Sequence, residues 1–218
     1  EMLRGYIEGH SRFVVLFAAF IMLGGLLMPT AIHPYLMTYM EIAETHSIST
    51  HRVYNLAEKA NMLAATAIGT IVGIYPLNFL LARYGARWVL FVDGIISAAV
   101  SCAVPVCFDY SLGAAQGIRF MMGCLYAADF GAVGLIVSRW APKSETAIYG
   151  AILSSFLVLV NIIEIPAAIL VFSLGYGWRT VYYVVGAIVL VCSFIWLLLY
   201  RDHPSESYAT EAEVALIS

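Results

Sequence analysis

The sequence predicts an all-α membrane protein with six transmembrane helices, and three observations carry that prediction. The first is composition: 62% of the 218 residues are hydrophobic and 11% are charged, with a mean hydropathy of +0.88, whereas soluble domains carry about 25% charge. The second is the presence of six apolar runs that reach the length of about 20 residues needed for a helix to cross hydrocarbon. The third is an internal repeat. YGARWVLFVDG begins at Tyr84 and YGWRTVYYVVG at Tyr176, and the copies share Tyr, Gly, Arg, Val, Val and Gly in register. Three crossings fall between them, an odd number, so the second copy faces the opposite side of the membrane. The six helices therefore read as a 3+3 inverted repeat.

In chain order, residues 1–12 form a short cytoplasmic segment with Arg4 and Arg12 ahead of crossing one, 13–40. Pro29 and Pro34 interrupt that crossing, and a proline inside a helix bends it. Residues 41–59, polar and carrying Glu41, Glu44, His46, His51, Arg52, Glu58 and Lys59, read as an external loop. Crossing two, 60–81, is rich in small residues, with Gly69 and Gly73 in the spacing that lets helices approach closely. Arg83, Gly85 and Arg87 then turn the chain into crossing three, 88–107. Crossings four, five and six follow at 114–138, 147–173 and 180–200. Residues 201–218 read as a cytoplasmic linker leading toward a second half that the sequence lacks. Arg4, Arg12, Arg83, Arg87, Arg139, Lys143 and Arg201 fall on one face, against Arg52, Lys59 and Arg179 on the other. Cationic loops stay in the cytoplasm, so both termini are assigned there.

Several classes are disfavoured. A net charge of −3 with cations standing singly at helix ends argues against nucleic acid. The cysteines Cys102, Cys107, Cys124 and Cys192 lie in apolar runs without paired spacing, so they read as free thiols rather than disulfides or a zinc site. No nucleophile elbow, HExxH, phosphate loop or dinucleotide fingerprint occurs, so neither an enzyme nor an ATP-driven pump is indicated and no cofactor is expected.

RFMMGCLYAADFGAVGLIVSRWAP (119–142), GWRTVYYVVG (177–186) and LYRDHP (199–204) resemble the amino-terminal half of major facilitator superfamily transporters. Within that superfamily they are similar to the anion:cation symporter branch, which includes sodium-phosphate cotransporters, sialin and vesicular glutamate transporters. The resemblance implies one six-helix half of a twelve-helix fold, a superfamily already known for inverted repeats. It also implies alternating-access transport of a small organic or inorganic anion coupled to sodium or protons. The departures are specific. The loop between crossings two and three keeps Arg83, Gly85 and Arg87 of a family gate motif, but Asn78 replaces its first Gly and Ala82 its Asp. Thr30 lies near the place of a family arginine in crossing one, Tyr126 takes the place of a family glutamate in crossing four, and Asp129 is additional.

An ionisable group inside a span costs about 2.5–3.5 kcal/mol on insertion scales, so it faces a cavity or a partner. At 1.5 Å per residue Arg119 lies roughly 8–10 Å below the outer end of crossing four and Glu164 roughly 13 Å below that of crossing five. They are expected to pair or to line one cavity, with the guanidinium exchanging Glu164 for an anionic solute. A permanent structural ion pair is the plainer alternative. His33 is expected near the same depth, as a proton acceptor or simply satisfied by carbonyls that the prolines free. Tyr126, seven residues from Arg119, shares its face. Asn161 is one turn from Glu164 and is expected beside it as polar lining. Asp129 lies in the inner half with Asp93 across a helix interface, and is expected to load a proton or sodium. Arg83, Gly85 and Arg87 are assigned to a cytoplasmic gate loop, with topology anchoring as the alternative role. The rival to transport is a non-transporting six-helix scaffold, favoured by the missing Asp at Ala82. A plasma membrane and an internal vesicle membrane are equally compatible with the sequence.

Overall fold

The computed structural model describes residues 11–45 and 55–202, and among these every regular element is an α-helix. They are α1 (Ser11–Thr45), α2 (Leu56–Tyr84), α3 (Ala86–Tyr110), α4 (Leu112–Trp140), α5 (Thr146–Ser154), α6 (Phe156–Ser173) and α7 (Trp178–Leu199). Six stretches are long and apolar enough to cross a membrane, α5 and α6 together making the fifth. Helices suit hydrocarbon because each closes its backbone hydrogen bonds within itself. Three spans, α3, α4 and α5–α6, lie between the two copies of the repeated motif, as the inverted repeat requires.

Local chemistry sets the ends. α2 starts at a capping box: the Asn55 side chain accepts from Leu56 N at 2.6 Å, and Asn55 N donates to Glu58 Oε2 at 2.9 Å. The helix therefore begins four residues before the apolar run at 60, because capping rather than hydropathy decides where it starts. Gly85, at φ 81, is the single residue joining α2 to α3, and only glycine adopts that conformation readily. Ser111 is likewise the whole connection from α3 to α4, its hydroxyl accepting from Ala114 N at 3.1 Å. The turn that the sequence places at 108–113 thus shrinks to one residue. The fifth span, expected as one helix over 147–173, is perturbed only locally at Ser155, whose backbone stays helical and donates to Ala151 O at 3.1 Å while its hydroxyl donates to Ile152 O at 2.7 Å and competes with the helical ladder. α1 runs unbroken through Pro29 and Pro34. Much of the expected external loop, and the tail beyond Asp202, lie outside the described residues.

α1 is central. Its Ala19, Met22, Leu23, Leu26 and Ile32 are almost fully buried, against α4, the fifth span and α7. α2 packs on α4 through glycine: a Cβ added at Gly69 or Gly73 would meet the carbonyl oxygen of Phe120 or Cys124, and one at Gly123 would meet that of Thr66. Without hydrophobic drive between helices in lipid, such backbone approach supplies the dispersion contact that holds them. α2 and the fifth span are 17% and 22% buried over their apolar windows, against 44–61% for the other spans, so their broad apolar faces remain open. 

Gly123 and Gly117 lie on the same helix, and only Gly123 has backbone against it. Gly123→Val is expected to separate α2 from α4 and to lower stability by about 3 kcal/mol or more, near the upper end of the cost of overpacking a core. Gly117→Ala should leave stability unchanged or slightly raised. Thermal unfolding in detergent checks both.

Candidate functional site

Two groups of buried ionisable side chains occupy the bundle at different depths. The first gathers around Tyr182 on α7. Its hydroxyl lies 2.7 Å from Nδ1 of His33 on α1, and both residues are about 1% exposed. The His33 ring meets Phe108 edge-on with centroids 5.5 Å apart. Arg119 on α4 and Glu164 on α6 both act electrostatically on Tyr182, and Arg119 also acts on His33. Four helices thus converge on one small polar group: α1 brings His33, α4 Arg119, α6 Glu164 and α7 Tyr182.

Arg119 and Glu164 do not pair. Among the described residues no carboxylate lies within ion-pair distance of Arg119, which is 1% exposed and places Nη1 3.5 Å from Met122 Sδ. Its Nε, His33 Nε2 and Glu164 Oε1 are all buried without a hydrogen-bond partner. Of the two expectations for this pair, the ion pair is not formed, while both side chains border the Tyr182 group. What the structure presents is two N–H-bearing groups and a carboxylate with spare hydrogen-bonding capacity in the buried interior of the bundle. Such capacity is costly to bury unless something answers it.

The structure also separates residues the sequence grouped together. Tyr126 is half-buried and lies with the second group, acted on by Asp129 and packed edge-on against Phe130 at 5.2 Å. Asn161 is exposed and donates to Leu157 O at 2.7 Å. Three residues advance a helix by about 300°, and the remaining 60° carries Asn161 out of the buried face that holds Glu164. It is not beside Glu164 as lining. The second group is Asp93 on α3 and Asp129 on α4, 3% and 1% exposed, Asp93 acting on Asp129, with all four carboxylate oxygens unpartnered.

The gate loop divides in the same way. Arg83 is exposed, its guanidinium 5.9 Å from the Tyr84 ring centroid. Arg87 turns inward and donates from Nε and Nη2 to Leu197 O at 3.3 and 3.1 Å, while Trp196 Nε1 donates to Arg87 O at 3.2 Å. Asp202, in the stretch read as linker, docks here: its Oδ1 accepts from Ala86 N at 2.8 Å and from Arg139 Nη1 at 2.9 Å. A carboxylate at a helix amino terminus meets free N–H groups and the positive end of the dipole. The same carboxylate fills the space a Cβ at Gly85 would need, a second reason for glycine there. Tyr182, Asp93 and Asp202 are the residues that sequence reasoning underused. Tyr182 had a signal, standing inside the repeated motif where the first copy has Leu90.

Six membrane-length helices enclosing buried ionisable groups define an integral, multi-pass membrane protein. Residues 13–216 match the family model described as Major Facilitator Superfamily, and the chain belongs to that superfamily. Among curated relatives it is 24% identical over 149 residues to a "Probable small intestine urate exporter" of Mus musculus, an alignment covering 66% of this chain and 29% of the relative. It is 24% identical over 143 residues to "Sodium-dependent phosphate transport protein 3" of Mus musculus, covering 66% and 30%. To a "Probable galactarate/D-glucarate transporter" of Bacillus subtilis (strain 168) it is 24% identical over 151 residues, covering 67% and 33%. The matched part is thus about a third or less of each relative's length.

Two substitutions test this geometry. Tyr182→Phe removes the partner of buried His33 and is expected to cost about 1–3 kcal/mol. Asp202→Ala removes the α3 cap and the Arg139 contact and is expected to cost about 1–2 kcal/mol. Both are read as lowered thermal midpoints in detergent, and an unchanged midpoint would remove the contact concerned from the fold's support.

Proposed function

We propose that this chain is the six-helix amino-terminal half of a secondary transporter that carries small organic or inorganic anions by alternating access. The observation that carries the reading is Arg119. It is a guanidinium buried in a span with no carboxylate partner among the described residues, facing a cluster to which α1, α4, α6 and α7 all contribute. A guanidinium offers parallel N–H donors to carboxylate or phosphate, and in a low-dielectric interior it has no better counter-ion than a bound anion. His33 and Tyr182 position each other and border the same group. Glu164 gives it a negative edge that favours release of the anion once the site opens. The relatives' names, which mention phosphate, urate and glucarate, support an anionic solute.

Coupling to sodium or a proton falls to Asp129, whose unpartnered carboxylate in the half of the bundle nearer Arg139 can accept either and so offset its own burial. The open apolar faces of α2 and of the fifth span are where a second six-helix half packs, and rocking between the halves exposes the Arg119 cluster to each side in turn. Both termini are cytoplasmic in this reading, with Arg83, Arg87 and Arg139 at the inner face, in a plasma membrane or an internal vesicle membrane.

The test is uptake of radiolabelled phosphate and D-glucarate by proteoliposomes carrying the native-length protein. Arg119→Lys keeps the charge and loses the fork, so uptake of the transported anion should fall at least tenfold while expression is unchanged. Full retention would take Arg119 out of the anion site. Asp129→Asn should leave uptake insensitive to an imposed sodium or proton gradient, whereas an unaltered gradient response would end its coupling role.

A further inference from the structure

Asp93 does more than face Asp129. It also forms part of the wall of a crevice of about 420 Å³ among α2, α3 and α4, whose other surfaces include Leu80, Tyr84, Trp88, Val92 and Ile96. Those five side chains are 37–58% exposed, so the crevice opens at the surface of the bundle between α2 and α3. Its volume lies within the range of small-molecule pockets. An apolar wall of such composition has no use for a carboxylate if apolar groups alone fill it. Asp93 is nonetheless 3% exposed with both oxygens unpartnered, and Asp129 adds two more behind it. Among the described residues the titratable groups acting on Asp129 or acted on by it are Asp93 and Tyr126, and no arginine, lysine or histidine there acts on either carboxylate.

We propose that the crevice among α2, α3 and α4 is a binding site for a lipophilic amine, its ammonium group on Asp93 and its apolar body along Leu80, Val92 and Ile96. Charge complementarity selects this occupant. An ammonium has three donors and no acceptor, matching a set of carboxylate oxygens that only accept. Tyr84 and Trp88 also line the crevice, their ring centroids 5.9 and 5.6 Å from the Arg83 and Arg87 guanidiniums. Depth decides against a phospholipid headgroup: Asp93 is seven residues into α3, roughly 10 Å along the axis at 1.5 Å per residue, below the headgroup level. The crevice wall itself is apolar apart from Asp93 and supplies no oxygen shell for a sodium ion, which in the transport reading is carried by Asp129 behind it. The site stands apart from the Arg119 cluster and does not rest on the transport reading.

The experiment measures binding of tritiated dodecylamine to the native-length protein in phosphatidylcholine nanodiscs by scintillation proximity, with dodecanol as competitor. Saturable binding at one site per protein is expected, displaced by unlabelled dodecylamine and not by dodecanol at the same concentration. Asp93→Asn should weaken it at least tenfold. Leu125→Trp, which narrows the crevice and leaves both carboxylates in place, should do the same. If Asp93→Asn does not fold, the dodecanol comparison and Leu125→Trp decide. Non-saturable uptake equal to that of empty nanodiscs, displacement by dodecanol as readily as by the amine, or undiminished binding in a folded Asp93→Asn protein would each overturn the proposal.

Discussion

Hydrocarbon offers no hydrogen-bond partners, and nearly every feature of this bundle follows from that constraint. Each backbone N–H and C=O must close within its own helix, which is why among the described residues the regular structure is helical and two connections shrink to one residue, Gly85 or Ser111. The same constraint forces charged side chains inward. His33, Asp93, Arg119, Asp129 and Glu164 are all at most 3% exposed, although the chain has abundant apolar residues that could have filled those positions. Helices in lipid gain little from burying one another's apolar faces, so close backbone approach does the work. The approach of Gly69 and Gly73 to the backbone of Phe120 and Cys124, and of Gly123 to that of Thr66, is its clearest instance.

The fold was legible in the sequence to the extent that hydropathy and charge determine it. Six apolar runs gave six spans, and the Tyr84 and Tyr176 motifs fall one odd set of crossings apart. Boundaries were less legible because they answer to capping chemistry. Asn55 and Glu58 form a recognisable cap signature, yet their polarity assigned them to a loop. The local perturbation at Ser155 carried no glycine or proline to announce it, only a hydroxyl able to compete for a carbonyl.

The candidate site divides along the same line. Charges in the middle of a span are conspicuous, so Arg119, Glu164, Asp129 and His33 could be picked out one by one. Depth along the spans also grouped Arg119, Glu164 and His33, and Asp129 with Asp93, but which further residues join each group depends on how the helices are rotated about their axes. Tyr182 reads as ordinary span filler until its hydroxyl is seen 2.7 Å from His33. Asn161 shows the reverse error, since a 60° difference in helical angle suffices to turn a polar side chain from interior to surface. Asp202 looked like linker because nothing in a sequence says which helix end a following carboxylate will reach.

That last contact fixes where the chain leaves the bundle. Asp202 fastens the end of α7 to the start of α3 and, through Arg139, to the end of α4, while Trp140 Nε1 holds Arg201 O at 3.2 Å. Residues 203 onward therefore depart from a point clamped by three helices rather than from a fraying end. A pull on the chain at residue 202 is thus shared among α3, α4 and α7 instead of unwinding the last turn of one helix.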